Sequence, residues 1–313
     1  MKALFMAGAL IAGSAIAASA ATLSGSTGYL LSANGRSLIV IDDLGTPTAF
    51  SEIALSGGTL EALAYRPRTG QLYGYSVGTR VSEADRVFEI DTTTGQLTDT
   101  MSFYGPAVGD IAFNARVGFD FNNALDAARA VSNQEDNLVF FPGDTASMNP
   151  NAGGVIRATD LAYGAGDANE GRNPNVFANA YTNAVDNEVA TTTLQYVIDA
   201  NRDVLATLAN NAGTLTTVGS LGLNVTANGG FEILSDFQGD NLGIALLRES
   251  GGNSGLYTID FKTGAATLFA DLGDWNFASF AARTGVPAVP LPASAVLLLA
   301  GLGGLSLVRR RKS

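Results

Sequence analysis

The sequence predicts an all-β protein, a five-bladed β-propeller over residues 21–285 that is closed by strands from its own N-terminus. Three observations predict it. The first is composition: the 313 residues include 37 Gly, are rich in Thr, Ser, Asn and Ala, and are only 15 % charged, which suits a turn-rich β protein better than a helical one. The second is a short strand pattern in which small or acidic residues alternate with aromatic or aliphatic ones. It is centred on Tyr65, Phe121, Tyr181, Ile233 and Phe280, at separations of 56, 60, 52 and 47 residues. The third is an apolar strand ending in Ile-Asp before a Thr/Gly turn. Five units of about 50 residues, each with room for three further strands, describe the blades of a propeller. A pair of β-sandwiches or an irregular β-solenoid is the competing arrangement.

The Ile-Asp pattern ends at Asp42, Asp91, Asp199 and Asp260, with a degenerate copy ending at Asp144. Its physical logic is a strand closing on a tight turn: the Asp side chain bonds forward to backbone N–H groups, and a glycine such as Gly95 or Gly264 takes positive φ. The chain ends complete the count. After Phe280 only Ala281 to Gly285 precede the C-terminal segment, so the fifth unit has one strand from this end. Tyr29 to Ser32, Leu38 to Ile41 and Ala49 to Ala54 supply the other three. This closure removes a free sheet edge.

The residue inventory excludes several chemistries. The sequence has no Cys and no His. Disulfides, Ser-His-Asp and Cys-His machinery, His-ligated zinc and a histidine general base are therefore ruled out. Setting aside the basic terminal residues Lys2, Arg309, Arg310, Arg311 and Lys312 leaves 13 basic against 29 acidic residues, a net of −16. Such a surface repels phosphate backbones and anionic lipid, so nucleic acid is not an expected partner.

Both termini read as export signals. Lys2, the apolar stretch Ala3 to Ala17 and the small-x-small site Ala18-Ser19-Ala20 form a signal peptide at 1–20, with cleavage after Ala17 as an alternative. No Cys follows, which excludes lipoprotein processing. At the other end, residues 286–313 combine a Pro-containing motif (Val289, Pro290, Leu291, Pro292, Ala293), an apolar run from Ala295 to Val308, and the basic cluster Arg309, Arg310, Arg311. The run is 14 residues, or 18 counted from Leu291, against the roughly 20 that a bilayer span needs. The basic cluster would stay on the cytoplasmic side. A simple tail anchor is one reading. The tripartite segment resembles the PEP-CTERM class of bacterial sorting signals, in the Val-Pro-Leu-Pro-Ala variant. The signal peptide implies Sec translocation; the tail's resemblance implies a Gram-negative source, transient insertion into the inner membrane through the C-terminal helix, and then cutting near the Pro motif by an exosortase-type enzyme. The destination it implies is the cell surface or extracellular matrix.

A second resemblance covers most of Ser51 to Leu272. It is carried by Gly118 to Asn122, Arg129 to Ser132 with Asn137 and Leu138, Ala180 to Asn183, Thr192 to Leu194 with Ile198 and Asp199, and Asn211 to Val218. Together these resemble an exported bacterial family labelled only as domain of unknown function 4394. Ala130 departs from the Val common at that place. The resemblance implies a propeller-like domain and brings no catalytic residue with it.

Alternate residues of inner strands point into the axial channel of a propeller. Ala64, Asp120, Ala180, Glu232 and Ser279 share that phase, and Asp120 and Glu232 are its acidic members. Paired carboxylates there have three readings: bonding to neighbouring backbone, holding Ca²⁺ through oxygen ligands, or acting as an acid/base pair. Gly164 to Asn175 and Ser235 to Asn241 have calcium-loop composition without EF-hand spacing and read as ordinary turns. Tyr163, Phe177 and Trp275 are candidate sugar-stacking platforms, with a packing role favoured for Trp275. No catalytic residue is assigned. The function expected is a binding or structural role in extracellular assemblies, extracellular polysaccharide being one candidate partner. A carboxylate- or calcium-dependent carbohydrate hydrolase or lyase, and a permanently tail-anchored periplasmic protein, are the alternatives.

Overall fold

The computed structural model of the protein describes residues 23–78, 83–102, 108–144 and 150–285. The signal peptide at 1–20 and the sorting segment at 286–313, with Val289 to Ala293 and Arg309 to Arg311, lie outside the described residues. Among those described, no helix is long and apolar enough to cross a membrane.

Among the described residues twenty-one strands follow one another, with one 3-10 turn at Asn210–Ala212. In chain order they are β1 (Thr27–Ser32), β2 (Ser37–Ile41) and β3 (Phe50–Ala54); β4 (Ala62–Arg66), β5 (Gln71–Ser76), β6 (Arg86–Ile90) and β7 (Leu97–Asp99); β8 (Val117–Asn122), β9 (Ala127–Ser132), β10 (Asn137–Phe140) and β11 (Val155–Arg157); β12 (Ala162–Tyr163), β13 (Val176–Tyr181), β14 (Gln195–Asp199), β15 (Val204–Ala209) and β16 (Thr214–Ser220); β17 (Val225–Leu234), β18 (Leu242–Glu249), β19 (Ser254–Ile259) and β20 (Ala266–Asp271); and β21 (Phe277–Arg283). They form five sheets. The first blade is β4 to β7, the second β8 to β11, the third β13 to β16 with β12 added in parallel at its outer edge, and the fourth β17 to β20. The fifth has β21 innermost, followed by β1, β2 and β3.

The predicted closure is thus present. Leu30 lies opposite Phe280, and β1 runs antiparallel to β21 along its length. The inner strands β4, β8, β13, β17 and β21 each touch the next, and β21 returns to β4. The five predicted centres lie on these strands. The hydrophobic core is divided accordingly into clusters between neighbouring blades. Tyr73, Tyr75, Phe119, Phe121 and Phe140 fill the gap between the first and second, with Tyr73 and Phe121 ring centroids 5.1 Å apart. A fully buried row of Leu30, Leu31, Leu38 and Ile41 joins the fifth blade to its neighbours on both sides.

The turn chemistry follows the sequence at three sites. Asp91 Oδ1 accepts the N–H groups of Thr93 and Thr94, Asp260 Oδ1 those of Lys262 and Thr263, and Asp199 Oδ1 those of Asn201 and Arg202. Gly95 and Gly264 hold φ of +74° and +80°. Two copies differ. At the first turn it is Asp43, one residue on, whose Oδ1 accepts from Gly45, because the same oxygen also accepts Gly25 N–H and fixes the start of the domain. Asp144 instead pairs with Arg66. The copy ending at Asp199 closes the second strand of its blade, whereas those at Asp42, Asp91, Asp144 and Asp260 follow third strands.

Candidate functional site

The axis of the ring is where the repeat places its two carboxylates, and both are engaged by backbone. Asp120 Oδ2 accepts the N–H of Tyr181 on the next blade at 2.7 Å, and the N–H of Phe121 also bonds this carboxylate. Glu232 repeats the arrangement: Oε1 accepts Ile233 N–H at 3.0 Å and Oε2 accepts Ala282 N–H of the next blade at 3.3 Å. Ser279 Oγ accepts Leu63 N–H across the closing junction. These bonds also refine the repeat. Asp120 reaches the residue after Ala180, and Glu232 the residue after Ala281, so Ala281 rather than Ser279 is level with Glu232. Ser279 keeps the inward phase one step lower. The reading in which the carboxylates bond to neighbouring backbone is the one the geometry displays.

The channel is closed. Between Gly118, Ala178, Gly230 and Phe280 it is too narrow for a water molecule. A Cβ on Gly118 would sit 2.7 Å from Ala178 Cα, and one on Gly230 2.4 Å from Phe280 N, so the inner strands approach as closely as they do because these two positions carry no side chain. Over the other mouth lies the connection from β13 to β14. In a ring of five the third blade adjoins only the second and fourth, yet Asn187 N–H donates to Pro67 O at 2.9 Å and Tyr65 Oη to Asp186 Oδ2 at 3.2 Å, both from the first blade. The connection therefore crosses the axis. Asn123 of the second blade donates to the carbonyls of Asn183 and Val185, and Gly239 N–H and Asn183 N–H lock it to the fourth.

Enclosure sets the electrostatics. Burial pushes the Asp120 and Glu232 carboxyls well above the ordinary range; the Glu232 charge further opposes ionisation of Asp120, and that of Asp186 opposes ionisation of Glu232. Asp186 is pushed up to about 6 by burial, against the opposing pull of Tyr65 and Arg283. Glu61, at the start of β4, is raised to about 7 by burial. A carboxyl whose folded pKa is raised stabilises the fold fully below its unfolded pKa, and that stabilisation is lost as pH rises toward the folded value. Thermal stability is therefore expected to fall as pH rises from about 5 to 8, within the window that starts near the ordinary Glu value of about 4.3. Glu232→Gln, which cannot ionise and also relieves Asp120, is expected to flatten that slope. Melting curves at several pH values check it, and an unchanged slope would remove Glu232 from the account.

Other predicted sites are placed as follows. Tyr163 and Phe177 are buried and are not platforms: Tyr163 Oη donates to Asp199 Oδ2 at 2.7 Å, and Phe177 belongs to the core between the third and fourth blades. Trp275 is 70 % exposed, contrary to the packing role expected of it. Its sequence neighbours gave no signal of this, since exposure is set by how the turn before β21 is tied down. The Gly164 to Asn175 segment is an ordinary turn latched to β16, with Asp167 accepting from Asn169 N–H, Thr217 N–H and Thr217 Oγ1. No group of three or more acidic side chains among the described residues is arranged to hold a metal. Sequence reading missed the axis-crossing connection, Asp186 within it, and two buried arginines, Arg66 and Arg129. Arg129 donates to Tyr181 Oη, Asn137 Oδ1 and Asn211 Oδ1, tying the second blade to the third.

A model of the family described as "Domain of unknown function (DUF4394)" matches residues 41–281. No curated protein matches the chain. Similar solved structures include a protein from Lactobacillus plantarum, 12 % identical with a TM-score of 0.38, the match covering 80 % of this chain and 67 % of that one. Another is an auxiliary nutrient binding protein from Bacteroides thetaiotaomicron, 14 % identical with a TM-score of 0.41 over 69 % of this chain. This chain spans 51 %, about half, of that protein's length. At this distance neither likeness bears on what the chain binds.

Proposed function

The chain belongs to the family described as Domain of unknown function (DUF4394), and we propose that it is an exported β-propeller with a binding or structural role at the cell surface or in the extracellular matrix. The observation that carries this reading is that the two ends of the described domain emerge together from a ring with a sealed axis. Gly285 N–H donates to Ser26 Oγ at 3.1 Å, and a Cβ on Gly285 would lie 2.6 Å from Gly25 C. A rigid body held at one point suits display on a tether. The N-terminal signal peptide at 1–20 supplies Sec export, and the tail with Val289 to Ala293 and Arg309 to Arg311 supplies the address: an inner-membrane intermediate, then release or attachment by an exosortase-type enzyme.

The alternatives have less support. A hydrolase or lyase built on Asp120 and Glu232 would need a substrate to reach groups enclosed at a closed axis. Calcium there would have to displace four backbone donors, and the proposed role needs no cation. Intact mass on protein recovered by cell fraction tests the reading. A mass running from Ala21 to near Pro292 in the surface or medium fraction is expected. A mass retaining Val308 and Arg309, found in the inner membrane alone, would make the protein a permanently anchored periplasmic propeller.

A further inference from the structure

Trp275 is the sole tryptophan of the sequence, and it stands on the turn from β20 to β21, at the end of the ring opposite the axis-crossing connection. Isolated exposed apolar residues are ordinary. Here the backbone beneath the side chain is fastened from several directions. Ser254 Oγ and Arg248 Nη1 both donate to Trp275 O, at 2.6 and 2.9 Å. Arg248 Nη2 pairs with Asp274 Oδ1 at 2.7 Å, and Ser254 N–H donates to Gly273 O at 2.9 Å. The residue is thus carried on an anchored turn and left 70 % exposed.

Ser254 is also a wall of a depression of about 340 Å³, the lower end of the range of small-ligand sites. Its other walls include Glu249, Asn253, Tyr257, Leu268 and Asp271. Its polar groups are oriented in advance. Tyr257 Oη donates to Glu249 Oε1 at 2.8 Å, Asn253 Nδ2 reaches both oxygens of Asp271 at 3.2 Å, and Gly273 N–H donates to Asp271 Oδ1 at 2.8 Å. Each carboxylate keeps lone pairs for further donors. Half-exposed Leu268 adds an apolar wall. Trp275 does not line the depression itself, but its carbonyl is held by the wall residue Ser254; an exposed indole on that anchored backbone, with oriented carboxylates and an amide close by in the chain, matches a ligand with apolar ring faces and many hydroxyl donors.

We infer that this end of the fourth blade, with Trp275, Glu249, Asn253 and Asp271, is a binding site for a neutral glycan. The net charge of −16 outside the terminal segments and the two carboxylates select against polyanionic polymers. The inference rests on the binding role proposed above and names the ligand class and the residues.

Affinity electrophoresis of the full chain in a polyoxyethylene detergent tests it, in gels cast with galactomannan, xyloglucan, dextran or alginate. At least one neutral polymer is expected to retard the protein, alginate is not, and Trp275→Ala and Asp271→Asn are expected to lose the retardation. Phe237→Ala is the control: Phe237 is 63 % exposed on the opposite end, and this variant should run as the native chain does. Melting temperatures separate loss of binding from loss of fold. Absence of retardation by every neutral polymer, retention of it by Trp275→Ala, or equal retardation by alginate would overturn the site. The mass measurement by cell fraction decides the export reading independently, so failure of one is distinguishable from failure of the other.

Discussion

A circular permutant in which residue 285 is joined to residue 23 by a short glycine linker and the chain is opened between Gly171 and Arg172 is expected to fold with nearly native stability. Deletion of residues 23–54 is expected to abolish cooperative folding. Both outcomes follow from closure. The ends to be joined already touch, at Gly285 and Ser26. Gly171 lies in an exposed turn where a Cβ would meet nothing within 4 Å, the kind of site that tolerates new termini. The deletion removes β1, β2 and β3 and leaves β21 without its blade. Four side chains with 0 % exposure, Leu30, Leu31, Leu38 and Ile41, disappear with it. At roughly 1.5–3 kcal/mol each they represent about 6–12 kcal/mol, as large as the whole stability of about 5–15 kcal/mol typical of a domain. Circular dichroism melts and urea titrations check both variants. A deletion variant that melts cooperatively would mean that four blades suffice.

Arg66→Met is expected to cost about 3–5 kcal/mol, the range for breaking one side of a buried ion pair. Arg66 has no exposed side-chain surface and donates to two carboxylates at once. Nε and Nη2 bond Asp126 at 2.8 and 2.6 Å, and Nη1 and Nη2 bond Asp144 at 2.5 and 2.9 Å. Asp126 is only 1 % exposed whereas Asp144 is 42 % exposed, so the cost arises mainly from Asp126, left without its partner between the first and second blades. The double variant Arg66→Met with Asp126→Asn is expected to recover much of the loss. Arg66→Lys is expected to recover little, because an ammonium cannot present two parallel forks. Urea midpoints of the four proteins measure this, and an Arg66→Met midpoint close to native would show the pair to be dispensable.

Much of the fold was legible because a propeller writes its repeat into the chain. The inner-strand centres Tyr65, Phe121, Tyr181, Ile233 and Phe280 all lie on inner strands, since burial on both faces of a central strand demands the same alternation in each copy. The three N-terminal strands were legible by counting, because a blade short of strands leaves an open edge. The turn at Asp42 and Asp43 was misplaced by one residue, since either side chain can reach forward and the choice is made by Gly25, which is distant in sequence. The fifth repeat was misaligned by two residues because Ser279 and Ala281 share a phase, and only the hydrogen bonds to Glu232 and Leu63 set the level.

Local pattern and residue inventory account for the strands and turns, the five units, closure by the N-terminus, the acidic surface, and the exclusion of cysteine and histidine chemistry. The remaining features arise in the folded ring. There Asp120 and Glu232 meet backbone donors of the next blade, and the axis is sealed at Gly118 and Gly230. Residues 183–194 cross the mouth, Arg66 and Arg129 are buried, and Trp275 is left exposed. The physical reason is the same in kind for all of these: burial, pairing and pKa depend on groups brought together by the fold, 21 to 27 residues apart at Trp275 and from 50 to 216 residues apart across the blades, and no local pattern records which residue a side chain will face there.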